Sequence, residues 1–365
     1  DWLDNLANST EAGGFDEFSY RLQMLVEPTE DLSALFKIHG FHQEGNQPQV
    51  FYANAFTPGV SGLRPGFDED VYSHDAPAGF ELDHIGGSAR IEYDLGGMTL
   101  TSITAYDTLE NFSQADVDGG LQGGPEAIGA LGRQAFFSVA SGDGLSDHGQ
   151  FVQEFRLSGE SDNLFYQFGL YYFDEDITVD SSDIANDGTF INLTQAEQST
   201  ESVALFGQVV FDLTDQLALT LGGRYTDDEK DLRVIPGFNS TAPAATISAD
   251  DDYFNGEVAL NYAVTDNLNL FGRIASASRG PVTLGRFGFT SSADTETIVS
   301  YEAGFKSTFL DGRARLNATV YSWEMDDQQL TATGGTGNTN EVLNADTEGS
   351  GIELDAEALL TDNLR

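Results

Sequence analysis

Carboxylates are the reactive groups this sequence supplies in excess. Sixty Asp and Glu stand against 16 Lys and Arg, a formal charge of −44 over 365 residues. Asp174, Glu175, Asp176, Asp180, Asp183 and Asp187 follow one another with no Lys or Arg between them, and Asp250-Asp251-Asp252 and Asp326-Asp327 continue the pattern. Carboxylate oxygens are hard ligands suited to Ca²⁺ or Mg²⁺. Asp116-Val117-Asp118-Gly119 has the Asp-x-Asp-Gly opening of a calcium loop, though no correctly spaced Glu follows, so Asp116 and Asp118 are the candidate cation contacts. The competing reading is solvation, in which like charges keep the surface wet, as a saline habitat would favour.

Five arginines, Arg64, Arg133, Arg233, Arg279 and Arg286, sit amid this negative field in stretches that read as long loops. A guanidinium held there either pairs with a neighbouring Asp or is kept for the carboxylate of an anionic ligand. Arg64, Arg133 and Arg279, with Tyr52, Phe136 and Phe137 as stacking surface, form the candidate ligand-binding set. Phe56 could stack as well, and all four rings could equally pack their own loops.

Other chemistry is excluded or unsupported. There is no Cys, which removes disulfides, zinc–thiolate sites and thiol nucleophiles. The five histidines are His39, His42, His74, His84 and His148; His39 and His42, three apart on a strand, point to opposite faces and cannot share one metal. No Gly-x-Ser-x-Gly elbow occurs, and the glycine runs at 119–124 and 334–337 lack the strand-before, helix-after setting of a phosphate loop. So acidic a chain has no basic patch to neutralise nucleic-acid phosphates. No catalytic residue and no cofactor is expected.

The elements that must position these residues are strands. In 253–264, Phe254, Gly256, Val258, Leu260, Tyr262 and Val264 share one face, while Asn255, Glu257, Ala259 and Asn261 share the other. Segment 217–226 splits the same way. Similar alternation near 18–27, 32–41, 85–95, 98–107, 151–158, 164–173, 203–213, 268–276, 301–309, 314–323 and 352–360 brings the count to about thirteen strands, each near the ~10 residues a tilted strand needs to cross a bilayer. No stretch approaches a membrane-spanning helix.

Connections alternate in kind. Short ones carry turn residues: 28–31, Gly96-Gly97, 161–163, 214–216, 265–267, Asp311-Gly312 and 361–363. Long ones fall at about 44–83, 111–149, 177–200, 230–252, 279–296 and 326–348. Short turns on one side and long loops on the other describe an antiparallel up-and-down transmembrane β-barrel, turns periplasmic and loops extracellular. Eight basic residues within strands, Arg21, Lys37, Arg90, Arg156, Arg224, Arg273, Lys306 and Arg315, all take the polar parity. Aromatics near strand ends, among them Tyr93, Tyr106, Tyr171, Phe211, Tyr225, Tyr262, Phe309, Tyr321 and Trp323, suit the headgroup level. A soluble, secreted, acidic β-rich adhesin or carbohydrate-binding protein would share the parity, so that alternative stays open.

Several segments resemble the TonB-dependent receptor family of Gram-negative outer membranes. They are Gln153-Glu154-Phe155-Arg156-Leu157-Ser158, the stretch 204–230, the stretch 301–321, and Gly349 to Ala356, and the likeness spans most of 84–365. The resemblance implies a barrel of about 22 strands closed by a plug. It also implies uptake of a scarce ligand such as a ferric siderophore, driven through the inner-membrane TonB energy-coupling complex, in an outer membrane of lipid and lipopolysaccharide. Neither the family's plug domain nor its energy-coupling box is found in the sequence, which stops just past the turn at 361–363. Residues 1–365 are therefore expected to be one incomplete barrel domain.

Overall fold

A computed structural model describes residues 2–5, 9–46, 61–63, 65–72, 74, 76, 78–116, 140–185, 189–286, 289–334 and 339–359. Thirteen strands make one antiparallel sheet. In chain order they are β3 (Phe15–Thr29), β4 (Leu32–Gly45), β6 (Gly79–Asp94), β7 (Met98–Asp116), β8 (Ala140–Ser161), β9 (Leu164–Ile184), β10 (Thr194–Thr214), β11 (Leu217–Pro236), β12 (Ala245–Thr265), β13 (Leu268–Arg279), β16 (Glu296–Phe309), β17 (Ala314–Gly334) and β18 (Thr339–Ala358). Each pairs with the strand before and after it in this series. Two small sheets complete the described structure: β1 (Leu3–Asn5) between β2 (Thr10–Ala12) and β5 (Val71–Tyr72), and the hairpin β14 (Val282–Arg286) with β15 (Phe289–Ala293).

The tight turns follow from their residues. Gly96 and Gly97 take φ of 80° and 109°, which only glycine adopts freely, and the Asp94 carboxylate accepts from the Gly96 N–H at 2.7 Å. At the turns between β10 and β11 and between β12 and β13, Thr214 Oγ1 accepts from the Leu217 N–H at 3.0 Å and Thr265 Oγ1 from the Asn267 N–H at 3.3 Å. The turn at 361–363 lies outside the described residues.

The two faces of the sheet differ as the alternation predicts. Leu221, Val258, Ile274 and Tyr301 stand in one row across β11, β12, β13 and β16, all exposed on the outer face. On β18, Ile352 and Leu354 are 71% and 72% exposed. Burying such a side chain is worth ~1.5–3 kcal/mol, so a chain in water would not leave a continuous belt of them bare. The described core is correspondingly small: Leu3, Ala12 and Tyr72 in one cluster, Ala76, Ala140 and Ile184 in another. Lipid must cover this surface, which decides against the soluble adhesin.

Two expectations need correction. The connections expected at 177–200, 230–252 and 326–348 are mostly strand: β9 and β10 leave only 185–193 between them, and β11 and β12 only 237–244. Beyond the bilayer both faces of a ladder are wet, so the apolar alternation stops while the backbone hydrogen bonds continue. The acidic residues Asp174 to Asp183 and Asp250 to Asp252 accordingly lie on β9 and β12. Second, the aromatics divide by face. Tyr93, Tyr106, Phe211, Tyr225, Tyr262 and Phe309 are exposed on the outside and form the girdle, whereas Tyr171, Tyr321 and Trp323 carry the lumen parity; Tyr321, for instance, pairs directly with lumen-facing Glu302.

Candidate ligand-binding site

Arginines on the inner wall are held in charge pairs, some between neighbouring strands and some along one strand. Arg273 reaches Glu257 of β12 at 2.7 Å and Glu302 of β16 at 3.3 Å, a clamp over three neighbouring strands. Arg315 lies 3.3 Å from Asp355 and 3.4 Å from Glu357. Arg90 pairs with Glu92 at 2.5 Å, and Arg156 with Glu154. These pairs keep charge inside the barrel at no cost in lipid exposure, and they occupy the guanidiniums concerned.

Arg224 differs. Its guanidinium lies 5.1 Å from the Tyr171 ring centre and 5.8 Å from that of Phe206, and Nε donates to Thr226 Oγ1 at 3.0 Å. Phe206 can lie flat against the wall because Gly169 is beneath it: a Cβ there would come within 2.3 Å of the ring. This aromatic–cation shelf faces the lumen at the level of the upper membrane boundary.

Two steps of the alternation above Arg224 on β11, Asp228 accepts from the Tyr253 hydroxyl at 2.6 Å, and Gly280 lies so close that a Cβ would meet Asp228 Oδ2 at 2.2 Å. Lys230 follows on the same face, half-buried and above the bilayer. Burial lowers its pKa from the ordinary lysine value; the Asp228 carboxylate opposes that, and the Arg279 guanidinium lowers it further. Two cations are thus held near each other in a strongly acidic surround, a pairing suited to an anionic ligand.

Over this region lies the hairpin β14–β15. Gly285 packs against Val234 and Leu232 of β11, both buried, so closely that a Cβ would come within 2.8 Å and 2.9 Å of them. Leu232 and Val234 share the parity of Arg224, so the hairpin sits on the lumen side. Thr283 Oγ1 donates to Gln198 of β10 at 3.0 Å, while Gln329 of β17 donates to the carbonyls of Gly280 and Asp294 at 2.8 Å and 3.0 Å. Ser291 Oγ accepts from the Val342 N–H of β18 at 2.9 Å. The hairpin therefore bridges β10–β11 to β17–β18 across the inner side of the arc. An apolar groove of about 520 Å³ opens between Val258, Leu260, Ile274 and Val320 on the outer face, where Gly272 leaves a gap; it faces lipid and is no site for a polar ligand.

Of the residues singled out from sequence, Tyr52, Phe56, Arg64, Arg133, Phe136, Phe137 and Asp118 lie outside the described residues. Arg279 ends β13 opposite Glu296 and is exposed beside the Lys230 region. Asp116 ends β7 opposite Ala140, 1% exposed. Arg233 lies on β11, not in a loop, and pairs with Glu197 of β10 at 3.6 Å. Sequence reasoning missed Lys230 and the shelf of Tyr171 and Phe206, whose lumen parity was the available signal.

A lipid-covered antiparallel sheet with a charged, partly obstructed inner wall is the architecture of an outer-membrane barrel. The profile of the family described as "TonB dependent receptor-like, beta-barrel" matches residues 6–364, so the chain belongs to that family of outer-membrane transport receptors of Gram-negative bacteria. Solved structures agree in fold. The ferric yersiniabactin uptake receptor FyuA from Yersinia pestis superposes with a TM-score of 0.75 at 16% identity, covering 99% of this chain and 52% of that one. The siderophore receptor PiuA from Acinetobacter baumannii gives 0.67 at 15%, covering 97% and 56%. The copper transporter OprC gives 0.69 at 12%, covering 100% and 53%. The chain spans about half the length of these proteins.

Proposed function

We propose that this chain supplies barrel wall and extracellular mouth to a TonB-dependent uptake receptor whose ligand is a ferric siderophore, with the inner-membrane TonB complex as energy source. The mechanism is binding followed by gated passage, with no bond chemistry. The observation that carries this reading is the mouth itself: a hairpin folded onto the lumen side over Lys230, Arg279 and the Arg224 shelf. A ferric chelate presents carboxylate, hydroxamate or catecholate oxygens and often aromatic rings, which cations and Tyr171 can meet. Lipopolysaccharide and outer-leaflet lipid are the neighbours of the outer face.

The test is uptake of radiolabelled iron by cells carrying the full-length receptor, over a panel of ferric siderophores. A Lys230→Gln, Arg279→Gln double variant should reach the surface at normal levels and lower uptake at least ~10-fold, which is what one charge-assisted hydrogen bond to the ligand is worth. Uptake of every ferric chelate in the panel at the level of receptor-free cells would overturn the ligand class.

A further inference from the structure

On the opposite flank of the inner wall, three strands bring together donors from distant parts of the sequence. His39 of β4 is in register with Gly86 of β6, and Gly86 with Asp107 of β7, so the three share one row and one face. His84, two residues before Gly86, has the same parity. That face is the lumen, because the alternate residues Ile38, Ile85 and Tyr106 are exposed on the outside.

Both imidazoles aim Nε2 at one oxygen of Asp107: His39 at 3.2 Å and His84 at 3.0 Å. The ring centres are 5.1 Å apart, and the three donor atoms all lie within 4.8 Å of one another. A tetrahedral ion with ligands at ~2.0–2.2 Å holds those ligands roughly 3.3–3.6 Å apart, so the two nitrogen–oxygen separations are within a few tenths of an ångström of a coordination sphere. Gly86 makes the convergence possible. A Cβ at that position would lie 1.9 Å from Asp107 Oδ1 and 2.9 Å from His39 Cε1, so any other residue would push the two apart. The side chains are 22%, 26% and 29% exposed, sheltered yet open on the lumen side.

We infer that His39, His84 and Asp107 form a binding site for a divalent transition-metal ion of the zinc class. Two imidazoles and one carboxylate favour Zn²⁺, Co²⁺ or Ni²⁺ over Mg²⁺ and Ca²⁺, which prefer all-oxygen surroundings. Three protein ligands leave a position facing the lumen for water or for a donor carried by an incoming solute. The inference stands apart from the siderophore reading. His42, Glu81 and Asp83 also cluster within 4.8 Å, but on the outer face and more exposed, with His42 bonded to Asp83 at 2.7 Å; they serve as the control.

The experiment titrates the full-length receptor, purified in detergent, with Zn²⁺ alone by calorimetry, and with Co²⁺ by visible absorption. Excess Mg²⁺ is present to occupy the acidic surface. One Zn²⁺ per chain is expected, with a tetrahedral Co²⁺ spectrum. His39→Gln with His84→Gln should abolish both, Gly86→Ala should weaken Zn²⁺ binding at least ~10-fold while leaving every ligand in place, and His42→Gln should change neither. Folding of each variant is checked by heat-modifiable gel mobility; if Gly86→Ala does not fold, the histidine variants decide. Zn²⁺ binding that Mg²⁺ displaces, or that survives loss of both histidines, overturns the site.

Discussion

Glu201 of β10 stands directly opposite Glu229 of β11, on the outer face just above the membrane band. It is also opposite Asp174 of β9, and Glu229 opposite Asp250 of β12, so four carboxylates cross four strands in a single row. Like charges directly opposed destabilise a sheet. Glu201→Gln should therefore stabilise the folded barrel by about 0.2–1 kcal/mol. The gain should shrink when Mg²⁺ is added, because the ion screens the same repulsion. Urea unfolding in detergent with and without Mg²⁺ measures it, and a destabilised Glu201→Gln would refute the argument.

Val258 and Asn261 are three residues apart on β12 and face lipid and lumen respectively. Val258→Arg should cost about 2–4 kcal/mol of folding stability in vesicles, whereas Asn261→Arg should cost little. Urea titration of vesicle-inserted protein compares them; equal costs would mean that the faces are misassigned.

Asn239 occupies the exposed connection between β11 and β12, and Asp266 the tight turn between β12 and β13. An epitope inserted at Asn239 should bind antibody on intact cells, and one at Asp266 only after the outer membrane is opened. The reverse pattern would invert the orientation.

His42 lies just above the apolar band, and its pKa is raised from the usual 6.5 by the hydrogen bond to Asp83; weak burial opposes this, and the charges of Asp83, Glu44 and Glu81 reinforce it. A raised folded pKa means that the interaction favours the folded state below the unfolded pKa, and that this stabilisation fades as pH rises through the folded one. An NMR titration should place His42 above 6.5, and Asp83→Asn should bring it down. No movement on that substitution would show that the hydrogen bond is not made in solution.

Much of the barrel is legible in residue types alone. The split of Leu221 and Tyr225 from Gly222 and Arg224 is sharp because lipid lies on one side and water on the other. Asp228 and Asp251 carry no such signal, since both faces of the ladder there are wet, and so the pattern around them reads as loop although the backbone is strand. Tyr321 and Trp323 lie near the height expected of a girdle, but height along a strand does not fix the face; parity does. The His39, His84 and Asp107 cluster is out of reach for a different reason. Which residue of β6 faces His39 depends on how the chain between Gly45 and Gly79 returns, and no residue pattern encodes that register.

The length of β8 to β12 has a consequence for recognition. These strands run 20–22 residues, about twice what the bilayer needs, so the walls of the mouth are hydrogen-bonded ladder well past the lipid. On the proposed uptake role, a solute meeting these ladders finds walls that are already set, and little of their conformational freedom is lost as it docks. In that proposed role, such a mouth selects by fit and charge at first encounter, and discrimination among related solutes should show in how fast they leave rather than in how far the walls must move to admit them.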